Sequence, residues 1–167
     1  MHNIRLKQDP LKRVVKTMAV DENNSIQKAF LDGIELVFSL MFTTHCKMYF
    51  LNEESVEKDI YDEVENKSYG EPVDLVAKVI YDHPKGEEPE ETVIRKATIK
   101  IPTKQFIDKK ISCLYEADWE KFRKAKFEYE GTTYLVDAVK PMTLVADIWQ
   151  FFEFYCTEDK KKSIKQV

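Results

Sequence analysis

Residues 127–141 read "FEYEGTTYLVDAVKP". Two short runs of aromatic and β-branched residues flank Glu130-Gly131, and Pro141 closes the second run. Alternation at period two on both sides of a glycine-containing pair predicts a β-hairpin. With a two-residue turn, Tyr129 stands opposite Thr132 and Phe127 opposite Tyr134. An aromatic cross-strand pair of that kind contributes about 0.2–1 kcal/mol. Glutamate forms such turns less readily than asparagine, so a longer, bulged turn is the rival reading. Nothing on the hairpin looks catalytic.

The pattern continues outward on both sides. Downstream, "DIWQFFEFYC" (147–156) as a strand puts Ile148, Phe152 and Phe154 on one face and Trp149, Phe151 and Tyr155 on the other. Apolar residues on both faces suit a central strand or one touching a partner; a helix also accommodates Ile148, Phe151, Phe152 and Tyr155. Upstream, "EADWEKFRKAK" predicts one short helix with Asp118 as its cap and Trp119, Phe122 and Ala125 on one side. "VIRKATIKIP" alternates, with Ala97, Ile99 and Ile101 inward and Lys96, Thr98 and Lys100 outward, until Pro102 stops it. Val73, Leu75, Ala77, Val79 and Tyr81 share the inner face of another strand. The "FTTHCKMYFLN" run from Phe42 is extended as well.

Between two of these strands lies "DHPKGEEPEET", with two prolines, a glycine and Glu87, Glu88, Glu90 and Glu91. Burying so many carboxylates would be prohibitive, so residues 82–92 are expected to form an exposed acidic loop. At the N-terminus, Leu11, Val14, Val15 and Met18 have the spacing of a short amphipathic helix. "DENNS" then supplies N-cap residues for a helix over Ile26–Leu40, with Ile26, Phe30, Ile34, Val37, Phe38 and Met41 as its apolar face and Gly33 weakening its middle by about 1 kcal/mol. The expected organisation is an N-terminal extension (1–41), a β domain (42–159) and a charged tail (160–167). The fold class is mainly β: a small antiparallel β-barrel or sandwich with an N-terminal helical extension and one short additional helix.

The totals narrow the function. The chain has 167 residues, 43% hydrophobic and 34% charged, enough for one domain with a true core. Acidic residues outnumber basic ones, 30 to 26. A protein built to grip phosphate backbones shows the opposite balance, so the "KKKSIK" tail, "EKFRKAK", Lys104, Lys109 and Lys110 read as solvated charge. No apolar stretch reaches the ~20 residues of a membrane-spanning helix, which predicts a soluble chain with no membrane partner. Cys46, Cys113 and Cys156 form no CxxC pair, so neither zinc nor a redox motif is expected, and a reducing compartment suits them.

Chemistry is sparse. His45 and Cys46 are adjacent, but neighbours on a strand point to opposite faces and cannot act as a dyad. His2 and His83 are isolated. Neither the acidic loop nor the cluster Asp59, Asp62, Glu63 and Glu65 has the ligand spacing of a calcium loop. With only four glycines there is no phosphate-cradling loop. The expectation is a non-enzymatic interaction protein without cofactor or metal. Its candidate contact residues are Asp82, Glu87, Glu88, Glu90 and Glu91 of the loop and Trp149, Phe151 and Tyr155 of the last strand.

Four phrases in order carry a family likeness: "THCKMYFLN", "DIYDEVENKSYGEPVDLVAKVIY", "ATIKIPTKQF" and "KFEYEGTTYLVDAVKPMTLVADIWQFFEFYC". A Y-x-E…Y…P-V-x-L-x-A segment runs through Tyr61, Glu63, Tyr69, Pro72, Val73, Leu75 and Ala77. A Y-x-G-x-x-Y-x-V-x-x-V-x-P hairpin runs from Tyr129 to Pro141. From Thr43 to Asp159 the chain resembles the head–tail joining proteins of tailed bacteriophages, the neck proteins called head-closure, stopper or head-completion proteins. Residues 1–41 depart from the compact family pattern and read as an added docking arm.

The resemblance implies a small β-barrel assembled as a homo-oligomeric ring, hexamer or dodecamer, below the portal of a DNA-filled head. Its implied partners are a portal or adaptor ring, a tail terminator or tail tube, and genomic DNA passing without sequence readout. Its implied location is the head–tail junction of the virion, after assembly in the host cytoplasm. The loop 82–92 would then project into the lumen or toward a neighbouring ring. A tail-terminator or tail-completion protein is the alternative within the virion. Outside it, the alternative is a small oligonucleotide-binding barrel with aromatics displayed beside basic residues.

Overall fold

The computed structural model describes residues 24–41, 44–52, 57–58, 64–66, 68–82 and 94–160. The sequence-predicted amphipathic run Leu11–Met18, the loop residues 83–92 and the tail beyond Lys160 lie outside them. In chain order the elements are α1 (Ser25–Met41), β1 (Thr44–Tyr49), β2 (Glu57–Lys58), β3 (Val64–Asn66), β4 (Val73–Asp82), β5 (Lys96–Pro102), α2 (Thr103–Asp108), a 3-10 turn (Glu116–Asp118), α3 (Trp119–Arg123), β6 (Lys126–Tyr129), β7 (Thr132–Val145) and β8 (Ile148–Glu158).

Six strands close a barrel in the order β1-β4-β5-β8-β7-β6, every pairing antiparallel, with β6 returning to β1; β2 and β3 form a separate ribbon. Closure joins the two end strands, although β4 over Val73–Ala77 and β7 beyond Val136 each have a strand on one side alone. The opening hairpin has the two-residue turn: Tyr129 pairs with Thr132 and Phe127 with Tyr134. Glu130 and Gly131 both take positive φ, 49° and 76°, as a type I′ turn requires. A second such turn, Ala146-Asp147 at 49° and 63°, joins β7 to β8. One bulge between Val136 and Ala138 shifts the β7–β8 register, the kind of irregularity that bends a barrel wall.

The inner faces follow the alternation. Leu75 and Ala77 of β4, Ala97, Ile99 and Ile101 of β5, and Ile148, Phe152 and Phe154 of β8 are all buried. The residues 148–158 are a strand, which settles the helix alternative. Phe106, Phe122, Phe127, Phe152 and Phe154 fill the interior, with centroids 4.9 Å apart for Phe106–Phe122 and 5.1 Å for Phe127–Phe154. The barrel is therefore a packed core and not a pore.

The sequence reading missed α2. Pro102 ends β5, but its fixed φ of −60° also starts a helix. Six residues are too short to show a helical period, yet α2 places Phe106 in the core. It also places Gln105 against β4, where the first half of the strand has no β5 neighbour. There the Gln105 amide Nε2 donates to the Val76 carbonyl and Oε1 accepts from the Val76 N–H, both at 2.8 Å. A side-chain amide thus stands in for a strand. The second short helix turns Trp119 and Phe122 inward as expected, and Ala125, just beyond its end, is buried beside them. Asp118 does not cap α3; its carboxylate instead accepts from the Tyr115 N–H (3.3 Å) and Ser112 Oγ (2.5 Å) and so fixes the turn before the helix.

Helix α1 begins where the cap residues predict. Asn24 Oδ1 accepts from the N–H groups of Ile26 (3.1 Å) and Gln27 (3.3 Å). The face laid on the barrel is only part of the expected one. Gln27, Leu31 and Phe38 are buried, with Ile34 half-buried, whereas Ile26, Phe30, Val37 and Met41 are exposed. The apolar arc of α1 is wide enough to hold two faces, and the packed one carries Gln27 with Leu31 and Phe38. The Gln27 Nε2 donates to the Ala146 carbonyl at the β7–β8 turn (2.8 Å). Among the described residues, no helix is long and apolar enough to cross a membrane.

Candidate interaction surfaces

The register of β4, β5, β8 and β7 builds a broad outer wall. Across one row stand Lys78, Lys100, Glu153 and Lys140, and across the next Ile80, Thr98, Tyr155 and Ala138. Lys100 Nζ forms an ion pair with Glu153, and Tyr155 Oη donates to the same carboxylate at 2.8 Å. Burial alone would raise the Glu153 carboxyl, but the hydrogen bonds from Lys100 and Tyr155 outweigh it and hold it below the usual carboxylate range. Glu153 is therefore an anion ringed by cations, and three lysines against one glutamate leave the row net positive.

The candidate contact residues do not converge. Asp82 is exposed at the end of β4, opposite Lys96, while Glu87, Glu88, Glu90 and Glu91 lie outside the described residues. Phe151 is committed within the chain: its ring meets Phe38 of α1 at 6.0 Å, and Lys100 Nζ sits 5.9 Å from its centroid. Trp149 is half-buried, and its Nε1 is buried without a hydrogen-bond partner. All three lie on the outer face of β8, and Tyr155 is the exposed one, at 38%.

Two surfaces escaped the sequence reading. The lysine row was written in the alternation of β4, β5 and β7, yet only the pairing register shows that these lysines are neighbours. The other is the outward face of α1, where Ile26 (61% exposed), Phe30, Leu36, Val37, Leu40 (74%) and Met41 stand clear of the barrel. On the polar side of α1, Asp32 and Glu35 meet Lys104 of α2 at 3.7 and 2.9 Å, and Asp108 joins them at 2.6 Å. Lys104 is thus occupied within the fold, its ammonium held above the ordinary lysine range by Asp108 and Glu35.

A shallow depression of about 150 Å³ lies outside the barrel between β1, β4 and β6, lined by His45, Lys47, Asp74, Glu128, Tyr129 and Glu130. Its carboxylates accept from neighbouring phenols: Tyr49 Oη to Glu128 at 2.8 Å and Tyr129 Oη to Glu130 at 2.9 Å. His45 points outward, whereas Cys46 is buried inside, its thiol pushed up to about 12 by burial and by Asp74. That thiol stays protonated at neutral pH and is no nucleophile. Among the described residues, no group of three or more His, Cys, Asp or Glu side chains is placed to hold a metal.

In comparisons with known proteins, no family model and no curated protein matches the chain.

Proposed function

We propose that the chain is a structural protein of a phage neck, a ring subunit below the portal that closes the DNA-filled head and joins it to the tail. One observation carries the reading: strand-forming parts of all four phrases that resemble neck proteins fall on the wall of one closed barrel. "THCKMY" is β1, "VDLVAKVIYD" is β4, "KATIKIP" is β5, and the final phrase runs through β6, β7 and β8. A barrel is also the fold that the resemblance implies.

The physical properties are compatible with that role. The interior is filled by phenylalanines, so a DNA channel has to be formed between copies arranged in a ring. A wall past which DNA slides is served by a chain with more acidic than basic groups, because strong phosphate contacts would arrest the duplex. Closure of the sheet joins its two end strands and limits strand addition, so side-chain surfaces serve the ring, portal and tail contacts.

The test is to tag the protein, recover it from a lysate in which its phage or prophage is active, and image the attached particles by electron microscopy. Label at the portal vertex of DNA-filled heads, or at the head–tail junction, is the expected result. Label at the ends of free tails would transfer the protein to the tail-completion class. Co-purifying nucleic acid without particles would overturn the virion reading altogether.

A further inference from the structure

The six barrel strands divide into two halves of three, β5-β8-β7 and β4-β1-β6, set back to back by the closure. Each half carries a row of charged residues on its outer face. In the first, Lys100 and Lys140 stand on either side of Glu153, each its cross-strand partner. In the second, Asp74 and Glu128 stand on either side of Lys47 in the same way. The signs read plus, minus, plus on one half and minus, plus, minus on the other. Both rows cross three adjacent strands, so their charges share the strand spacing of about 4.8 Å. Laid face to face, the rows match sign for sign. Each is symmetric about its centre, so they match in either direction.

Both rows are open to a partner. Lys47, Asp74 and Lys140 are exposed. Glu153 lies low, bonded to Lys100 and Tyr155, so the two lysines are what the first row presents. The second row is the concave one: Asp74, Lys47 and Glu128 line the depression of about 150 Å³, together with a further carboxylate, Glu130. A lysine ammonium on its flexible stem suits a recess of that sign. Tyr155, two residues along β8 from Glu153, adds the kind of aromatic side chain that protein contacts favour. Within one chain the rows cannot meet, because their central strands, β8 and β1, stand three strands apart in a barrel of six. A polyanion would answer the lysines alone, whereas a second copy answers both rows at once.

We propose that the barrel binds further copies of itself head to tail, the Lys100–Glu153–Lys140 row of one copy seated on the Asp74–Lys47–Glu128 row of the next. A contact between two different patches on opposite sides of one body repeats, and it gives a ring where the rotation closes. The contact deepens the ring reading above and rests on it for closure alone.

The test mixes equal amounts of ordinary and heavy-nitrogen-labelled chain at low salt and treats them with a carbodiimide, which joins an ammonium to a carboxylate in contact without a spacer. Links between light and heavy peptides, from Lys100 or Lys140 to Asp74 or Glu128, are the expected result. Lys140→Glu, at an exposed site that should leave the melting temperature nearly unchanged, should lower the links from Lys100 about tenfold by setting like charges together. Links from Lys100 of a labelled Lys140→Glu chain should return when its partner is an unlabelled Glu128→Lys or Asp74→Lys chain. One of the two partners restores them, and which one gives the direction of seating. No light–heavy links, links confined to other residues, or links unmoved by Lys140→Glu would overturn the proposal. So would an oligonucleotide that binds in a salt-sensitive way, needs Lys140 and displaces no such links, because the row would then belong to phosphate. Failure here with label still found at the neck would remove these contact surfaces and leave the neck reading standing. The expected links without label at the neck would do the reverse.

Discussion

β8 and α1 are both rich in apolar residues, and the fold treats them in opposite ways. β8 turns Phe152 and Phe154 into the barrel and still has Phe151 covered on its outer face, because α1 lies across it. Helix α1 spends one narrow face, Gln27, Leu31 and Phe38, on that cover and leaves the rest of its apolar arc outward. A strand has only two faces, so one barrel and one helix cover most of β8, leaving Tyr155 exposed. A helix offers its whole circumference, and a single contact uses about a third of it. The apolar content of an element therefore says little about its burial until its neighbours are known.

That contrast can be broken in graded steps. The largest effect is expected from alkali. Burial pushes the Cys46 and Cys113 thiols from the ordinary 9.0 up to about 12, and that of Cys156 higher still. In each case the folded-state value is raised, so the stability it contributes is complete below pH 9 and is lost as pH rises from 9 toward 12. Unfolding followed by circular dichroism should show a steep loss across that window, and serine at all three positions should reduce it without abolishing it, because the phenols of Tyr49, Tyr69, Tyr81, Tyr129, Tyr134 and Tyr155 are also raised above their ordinary value in the fold. Next, Phe154→Ala removes a ring from the filled interior and should cost about 3–5 kcal/mol in urea unfolding. A smaller loss would mean that the barrel can collapse around the gap.

Phe38→Ala strips one ring from the α1 cover over Phe151 and should cost about 2–3 kcal/mol, less than the interior change because the site borders solvent. If it costs as much as Phe154→Ala, then α1 belongs to the same cooperative core as the strands. The smallest effect belongs to the far end of the outward face. Leu40 is 74% exposed, and Leu40→Ser should change stability by no more than about 0.5 kcal/mol. A loss above about 1 kcal/mol would show that something covers that end as well.

Much of the barrel was legible in residues taken a few at a time. Alternation placed Ala97, Ile99 and Ile101 inward, and the Glu130-Gly131 pair set a hairpin register that the structure repeats residue for residue. The start of α1 was legible because an N-cap is a contact within one turn. The inward face of α1 was legible only in Ile34 and Phe38, since the contacts of Gln27 and Leu31 lie with elements far away in the chain, Gln27 with a turn 119 residues on. Short α2 was hidden for a related reason: its worth lies in Gln105 completing a strand edge that only the assembled sheet exposes. The candidate contact residues fared according to the same rule. Trp149, Phe151 and Tyr155 were placed on one outer face of β8, but that α1 takes Phe151 and leaves Tyr155 outward is a tertiary fact.

By itself, then, the sequence determined which residues alternate, where the turns bend, where α1 is capped and that the chain would build a small β domain, because those properties depend on φ preferences and on neighbours within a few residues. Only the tertiary structure decided that the sheet closes on itself, that lysines from three strands line up around Glu153, and that α1 shows its second apolar face to the outside. Each of these depends on pairings between residues far apart in the chain, whose free energy exists only once the strands have met.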